Sequence, residues 1–172
     1  IIAQILNFFF LPFFWCTSGS VFDSSFGSSL SVPYVKRLLE AMRIPILEVV
    51  GYEADDVIGT LAKRGAEAGY NVFMVTPDKD YGQLVDDSCM IYRQKGDITE
   101  IVDRQAIAEK YGISDPTLVR DILALWGDSA DNIPGVPGIG EKGASKLVRQ
   151  WGEVENILAN TAAIGGKTGK NI

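Results

Sequence analysis

The chain contains no histidine. That excludes Ser–His and Cys–His nucleophilic catalysis and histidine-ligated zinc. Its two cysteines, Cys16 and Cys89, lie too far apart for a zinc or redox motif and fit a reducing compartment. No Lys or Arg precedes Lys36, so the apolar opening IIAQILNFFFLPFFWC lacks the basic flank of a secretory signal. That opening is 16 residues long and contains Pro12, short of the roughly 20 apolar residues a membrane span needs. It can be read as a membrane anchor, as a buried strand or helix, or as a stretch foreign to the domain. The Ser- and Gly-rich TSGSVFDSSFGSSLS follows it, and the third reading is the simplest. Residues 1–31 are therefore expected to be an atypical segment outside the fold.

What remains is ordinary for a globular chain. There are 172 residues, 47% apolar and 22% charged, enough for one domain or slightly more with a full core. The net charge of −6 argues against nucleic acid as a partner until its distribution is considered. Seven carboxylates fall in three short clusters: Glu53, Asp55 and Asp56 in YEADDVIGTLA, Asp78 and Asp80 in TPDKDYGQL, Asp128 and Asp131 in WGDSADNIPG. Setting those seven apart from the 22 Asp and Glu leaves 15 acids against 16 Lys and Arg. The acidity is concentrated, and the rest of the surface can carry basic patches.

The pattern from residue 31 is regular. Ser31 can cap a helix over 33–42 with Pro33 in its first turn. Residues 46–50 read as a buried strand. Residues 53–68 read as a helix with Val57, Ile58, Leu61 and Ala62 facing inward and Gly69 as its stop. Residues 71–75 and 90–93 read as further strands. Strand, helix, strand at this spacing is a βαβ unit with parallel strands. Asp103 and Asp115 then open helices over 104–111 and 116–126, and 142–151 and 154–160 look helical. The expected order is an α/β core over 32–102, followed by an all-α region over 103–172.

In a parallel sheet, ligands bind beyond the carboxyl ends of the strands. The first acidic cluster follows one predicted strand and the second follows the next, so topology delivers both to one edge. Asp128 and Asp131 close the helix 116–126, where a loop can turn them inward. Carboxylates gathered this way repel one another unless cations neutralise them. Mg²⁺ and Mn²⁺ take oxygen ligands, and two such ions can clamp the attacking and leaving oxygens of a phosphoryl displacement. Taken singly, each cluster is more simply a helix cap or solvated turn; three together point to a site. An EF-hand at DKDYGQ fails, because Gly82 falls at the fifth position and Cys89 where the bidentate Glu belongs.

The segment NIPGVPGIGEKGASKLV contains Gly138-Ile-Gly140-Glu-Lys-Gly143. No strand precedes it, so it is not a dinucleotide fingerprint. It fits a helix–hairpin–helix loop, whose glycines let the backbone approach a phosphate and whose next helix begins with free amides. Lys142, Lys146 and Arg149 add attraction. The alternative is a tight turn between packed helices. In GGKTGK, Thr161 stands where the first Walker glycine belongs, so no P-loop is present.

GYEADDVIGTLA, TPDKDYGQLV and LALWGDSADNIPGVPGIGEKGASKLV, in this order and spacing, resemble the 5′-nuclease domain of bacterial DNA polymerase I, a member of the flap endonuclease family. The likeness covers about residues 32–160. It implies a PIN-like parallel-sheet core followed by a helix-three-turn-helix DNA-binding region in the cytoplasm. It implies two-metal cleavage of 5′ flaps and 5′ ends on duplex DNA and on RNA-primer hybrids, and a polymerase domain in the complete protein. By motif position, Glu53, Asp55, Asp56 and Asp78 would serve a first metal, and Asp80, Asp128 and Asp131 a second. Gly135, Gly138, Gly140, Lys142 and Lys146 would grip DNA, with a K⁺ ion at the hairpin. The family opens with a strand carrying a metal-binding Asp, then a second Asp and a basic arch. None of these is recognisable in residues 1–31, and Asp23 does not match, so an N-terminally incomplete core is expected. Two other readings stand beside this one: a duplex-binding module without cleavage, and a PIN-type ribonuclease, against which the loop 135–146 argues.

Overall fold

The computed structural model describes residues 2–6, 14–17, 26–95, 98–129 and 132–172. It divides into two compact units, 1–102 and 103–172.

The first unit is a six-stranded sheet with two helices. Its elements are β1 (Ile2–Leu6), β2 (Phe14–Thr17), α1 (Phe26–Ala41), β3 (Ile46–Leu47), α2 (Ala54–Glu67), β4 (Val72–Val75), β5 (Cys89–Lys95) and β6 (Ile98–Val102). The strand order is β3-β2-β1-β4-β5-β6. Strands β2 and β3 pair in parallel, as do β4 and β5, while β1 and β6 run against their neighbours. The sheet is therefore mixed rather than all parallel. Strands β3 and β4 share a direction, but β2 and β1 lie between them.

The apolar opening supplies β1 and β2 of this sheet, where residues 1–31 were expected to stand outside the fold. The short β1 pairs with β4 through Gln4 and Val75, Ile5 and Met74, and Leu6 and Phe73. Pairing of this kind is set by a distant partner and leaves no local signal. Helix α1 begins at Phe26, so Pro33 lies inside it rather than in its first turn; its ring removes one intrahelical hydrogen bond. The strand expected over 46–50 stops at Leu47, because a turn with Gly51 at φ +87° follows.

Helix α2 buries Ala54, Ile58 and Ala62 at i, i+4, i+8 spacing. Val57 and Leu61, expected to face inward, are only half-buried. The core of this unit adds Val72, Met74, Tyr81, Val85, Cys89, Ile91 and Val102. The hairpin partner β6 was not expected; it pairs Arg93 with Glu100, whose side chains form an ion pair at 2.8 Å.

The second unit contains α3 (Arg104–Tyr111), α4 (Val119–Trp126), a two-residue ribbon of β7 (Gly127–Asp128) and β8 (Ile133–Pro134), then α5 (Glu141–Trp151), α6 (Val154–Ala159), α7 (Thr161–Ile164) and α8 (Gly166–Asn171). Asp103 caps α3 by accepting the Ala106 amide at 2.8 Å, and Gly112 ends it in the left-handed region. Asp115 accepts the Thr117 amide at 3.0 Å ahead of a 3-10 turn, Pro116–Leu118, that runs into α4. That bond holds the Asp115 carboxyl below its ordinary range. Val119, Ile122, Ala144, Val148 and Ile157 are buried between α4, α5 and α6.

One buried charge ties this unit together. Asp121 is 5% exposed. It accepts the first amide of α6, from Val154, at 3.0 Å, and its other oxygen lies 3.4 Å from Arg120. Asp121→Ala would leave that amide without its acceptor and should cost about 1–3 kcal/mol. Asp121→Asn keeps an acceptor oxygen and should cost less. Urea midpoints at unchanged slope measure both. In the first unit, burial and the nearby Asp86 carboxylate push the Cys89 thiol up to about 11. The neutral thiol is the unreactive form, so Cys89 should resist alkylation at pH 8 in the native chain and react once urea unfolds it. Peptide mapping separates it from Cys16.

Candidate metal and nucleic-acid site

The first acidic cluster sits on the opening turn of α2. Glu53 is its N-cap, and the Glu53 amide donates to Asp56 Oδ2 at 3.3 Å in a reciprocal capping box. The positive end of the helix stabilises these acids. Glu53 and Asp56 are exposed and Asp55 is half-buried.

The second cluster is shaped by the turn that leaves β4. Thr76, 1% exposed, accepts the Asp78 amide through Oγ1 at 3.1 Å. Asp78 Oδ1 then accepts the Asp80 amide at 3.0 Å and starts a 3-10 turn, Asp80–Leu84. This turn carries Tyr81, whose ring is 2% exposed and whose hydroxyl donates to Asp55 Oδ1 at 2.8 Å. The two clusters are thereby joined. Asp55, Asp56, Gly59, Thr60, Asp80 and Tyr81 line one cavity of about 300 Å³.

The structure thus brings together Asp55, Asp56 and Asp80. Glu53 stays at the exposed cap and Asp78 devotes one oxygen to the turn. Among the described residues, no three carboxylates converge closely enough to form a complete ligand set by themselves. The donors are nevertheless hard oxygens on a cavity with room for several waters. Mg²⁺ commonly uses one or two carboxylates and keeps several waters, so this set fits such an ion with water completing its shell. Asp128 belongs to the second unit, where it is 8% exposed on β7. Asp131 lies outside the described residues. Sequence reasoning passed over Tyr81 and Thr76. Tyr81 carried a signal, being a lone aromatic directly after the two acids of DKDYGQL.

The glycine loop of the second unit is built as a helix–hairpin–helix. A Cβ at Gly135 would collide with the Trp126 carbonyl and lie 2.9 Å from the Gly127 nitrogen, so only glycine fits. The Val136 amide donates to Leu125 at 2.8 Å, and the Ile139 amide closes a turn onto Val136 at 3.0 Å. Gly138 has φ +84°, a conformation that favours glycine. Gly140 is the N-cap of α5 in extended backbone, with open space where a Cβ would stand. Ala144, Leu147 and Val148 bury one face of α5. Lys142 and Lys146 are exposed one turn apart. The Asn171 amide group donates to the Pro137 carbonyl at 2.6 Å and ties α8 to the loop. Among the described residues, no helix is long and apolar enough to cross a membrane.

Comparison with known proteins agrees with this geometry. Residues 29–112 match the family model described as 5′-3′ exonuclease, N-terminal resolvase-like domain. Residues 114–172 match 5′-3′ exonuclease, C-terminal SAM fold. The chain is 47% identical over 137 residues to a DNA polymerase I of Bacillus caldotenax, covering 78% of this chain and 16% of that protein. It is 40% identical over 131 residues to a 5′-3′ exonuclease of Aquifex aeolicus, covering 76% of this chain and 44% of that one. The chain thus spans less than half the length of either relative. A crystal structure of the bacteriophage T5 flap endonuclease, a pseudo-enzyme-product complex with DNA and metal ions, superposes with a TM-score of 0.69. It is 25% identical, over 81% of this chain and 52% of that one. Two consecutive family models, a mixed α/β core and a hairpin-bearing helical unit lead to one conclusion: the chain belongs to the 5′-3′ exonuclease family.

Proposed function

We propose that this chain carries the cleaving part of a structure-specific 5′-nuclease that hydrolyses DNA phosphodiesters with the help of divalent cations. The observation that carries the reading is the cavity lined by Asp55, Asp56 and Asp80, with Tyr81 holding Asp55 in place. A bound Mg²⁺ or Mn²⁺ would supply Lewis acidity toward the phosphate and a more acidic water. One or two of Asp55, Asp56 and Asp80 would hold the ion at the cavity, with water completing its shell. Glu53 and Asp78 would act from its edge. By motif position alone, Asp128 and Asp131 are proposed as further metal ligands. Tyr81 fixes the direction of the Asp55 carboxylate, and Thr76 and Asp78 fix the turn that presents Asp80.

The second unit supplies the grip. Gly135, Gly138 and Gly140 leave the backbone open to a phosphate, and Lys142 and Lys146 attract it without reading sequence. A K⁺ ion at this hairpin is part of the proposal, as are duplex DNA with a 5′ flap or end and RNA-primer hybrids as substrates. So are a cytoplasmic site of action and a polymerase domain in the complete protein. The second reading is a duplex-binding module without cleavage. It is favoured by the absence of a converged three-carboxylate group among the described residues.

An Mn²⁺-supported assay on a 5′-flap duplex decides between them. Cleavage is expected, and Asp80→Ala should lower it by about 100-fold or more, as loss of positioning at a reacting centre does. Duplex binding with no cleavage by the unaltered chain would leave the binding module. The hairpin gives a separate test. Gly140→Ala meets no atom and should leave the melting temperature unchanged, whereas Gly135→Ala should cost more than about 1–3 kcal/mol through overpacking against backbone. Thermal melts and anisotropy of labelled duplex check both variants.

A further inference from the structure

A second cavity, about 590 Å³, adjoins the carboxylate cavity and shares Asp56 and Thr60 with it. Its volume lies in the range of small-molecule sites. One wall is Val57 and Leu61, the half-buried pair of α2 that the helix does not turn into the core. Another is Tyr52, which is 61% exposed. The turn Val49-Val50-Gly51-Tyr52, closed by a 3.3 Å bond from the Tyr52 amide to Val49 and by Gly51 at φ +87°, puts this ring immediately before the N-cap Glu53. Arg64, from the last turn of α2, lines the same cavity. Among the described residues it pairs with no carboxylate. The lining thus holds one acid, Asp56, on the side of the carboxylate site, and one base, Arg64, to offset it.

An exposed aromatic ring, an apolar floor and an unpaired guanidinium fit a nucleotide: the base stacks on the ring and the phosphate approaches the cation. A base inside a duplex is stacked between its neighbours and cannot offer a face. We propose that this cavity takes an unpaired nucleotide of the DNA strand being cut, its base against Tyr52 and its phosphate toward Arg64, next to the scissile bond. The inference rests on the 5′-nuclease reading, and it adds a residue set that selects a flap over plain duplex.

The test is anisotropy of the 172-residue chain with a 5′-flap duplex and with the same duplex lacking the flap, without divalent metal so that neither is cut. Tyr52→Ala and Arg64→Ala should each weaken flap binding about tenfold, the scale of one stacked base, and leave flapless duplex unchanged. Tyr52→Phe keeps the ring and should restore flap affinity. Both side chains are exposed, so unchanged melting curves are expected. 5-Iododeoxyuridine placed in the flap beside the junction should photocrosslink to Tyr52. Unaltered flap affinity in Tyr52→Ala, or a crosslink mapping to another element, would overturn the inference while the nuclease reading stands. An unaltered chain that binds neither DNA would overturn both.

Discussion

The hydrogen bond from Tyr81 to Asp55 is the point on which the first unit's chemistry depends. It spans 26 residues of sequence and joins the opening of α2 to the turn after β4. Tyr81 is buried and Asp55 half-buried, so the bond holds one side chain of the core against one that faces the cavity. With it, two acidic clusters from different elements share one cavity. Three devices manage their mutual repulsion: the helix N-terminus beneath Glu53, Asp55 and Asp56, the phenol on Asp55, and the amide of Asp80 on Asp78. None removes the charge. A cation is the remaining neutraliser, and its chemistry follows from hard oxygen donors in a chain without histidine.

Where local chemistry decides a structure, the sequence was readable. Asp103 followed by an apolar-periodic run and Gly112 marks α3 at both ends, because cap and stop are properties of single residues. The direction of β3 and β4 followed from the intervening helix, which forces a crossover. What could not be read was set by distant partners. Strands β1 and β2 owe their place to β4 and β3, and nothing in IIAQILNFFF distinguishes a strand awaiting a partner from a foreign stretch. On α2, Ile58 and Ala62 are buried as expected, while Ala54 takes the first place in the row and Val57 and Leu61 stay half-buried. Small residues suit a helix lying close to a sheet, and their low hydrophobicity hides that role from a pattern of large apolar residues. At the site, Asp55, Asp56 and Asp80 were legible as acids that line one cavity, while Asp128 lies in the second unit and Asp131 outside the described residues. Tyr81 was passed over despite its place after the two acids, since a buried phenol reads as core until its hydroxyl finds a carboxylate.

The second unit obeys a different constraint, close approach of backbone. Gly127 and Gly135 stand where a Cβ on either would strike the other's chain. The ribbon of β7 and β8 can close only with glycine at these positions, and α5 starts from that closure. Gly140 has no such duty, which separates a glycine needed for folding from one available to a ligand. Asp121 and Asn171 tie remote segments of this unit together as Tyr81 does in the first, but each pairs with backbone, where Tyr81 pairs with a carboxylate.

The displaced row of α2 also explains why a cavity exists beside the acids. A helix whose buried stripe is Ala54, Ile58 and Ala62 leaves Val57 and Leu61 on its flank, half covered. Burying them would require a partner on that side. The chain places there a tight turn ending in Tyr52 instead of an apolar plug. An occupant that displaced water from this apolar surface would lower the local dielectric and strengthen each nearby charge. The surface is retained at a cost in hydrophobic stabilisation that only an occupant recovers. In the proposed reading, the acids mark where a phosphodiester would be attacked. In the proposed reading, the neighbouring wall of Val57, Leu61 and Tyr52 would favour a strand with an unpaired base, because a base inside a duplex has no face free to meet it.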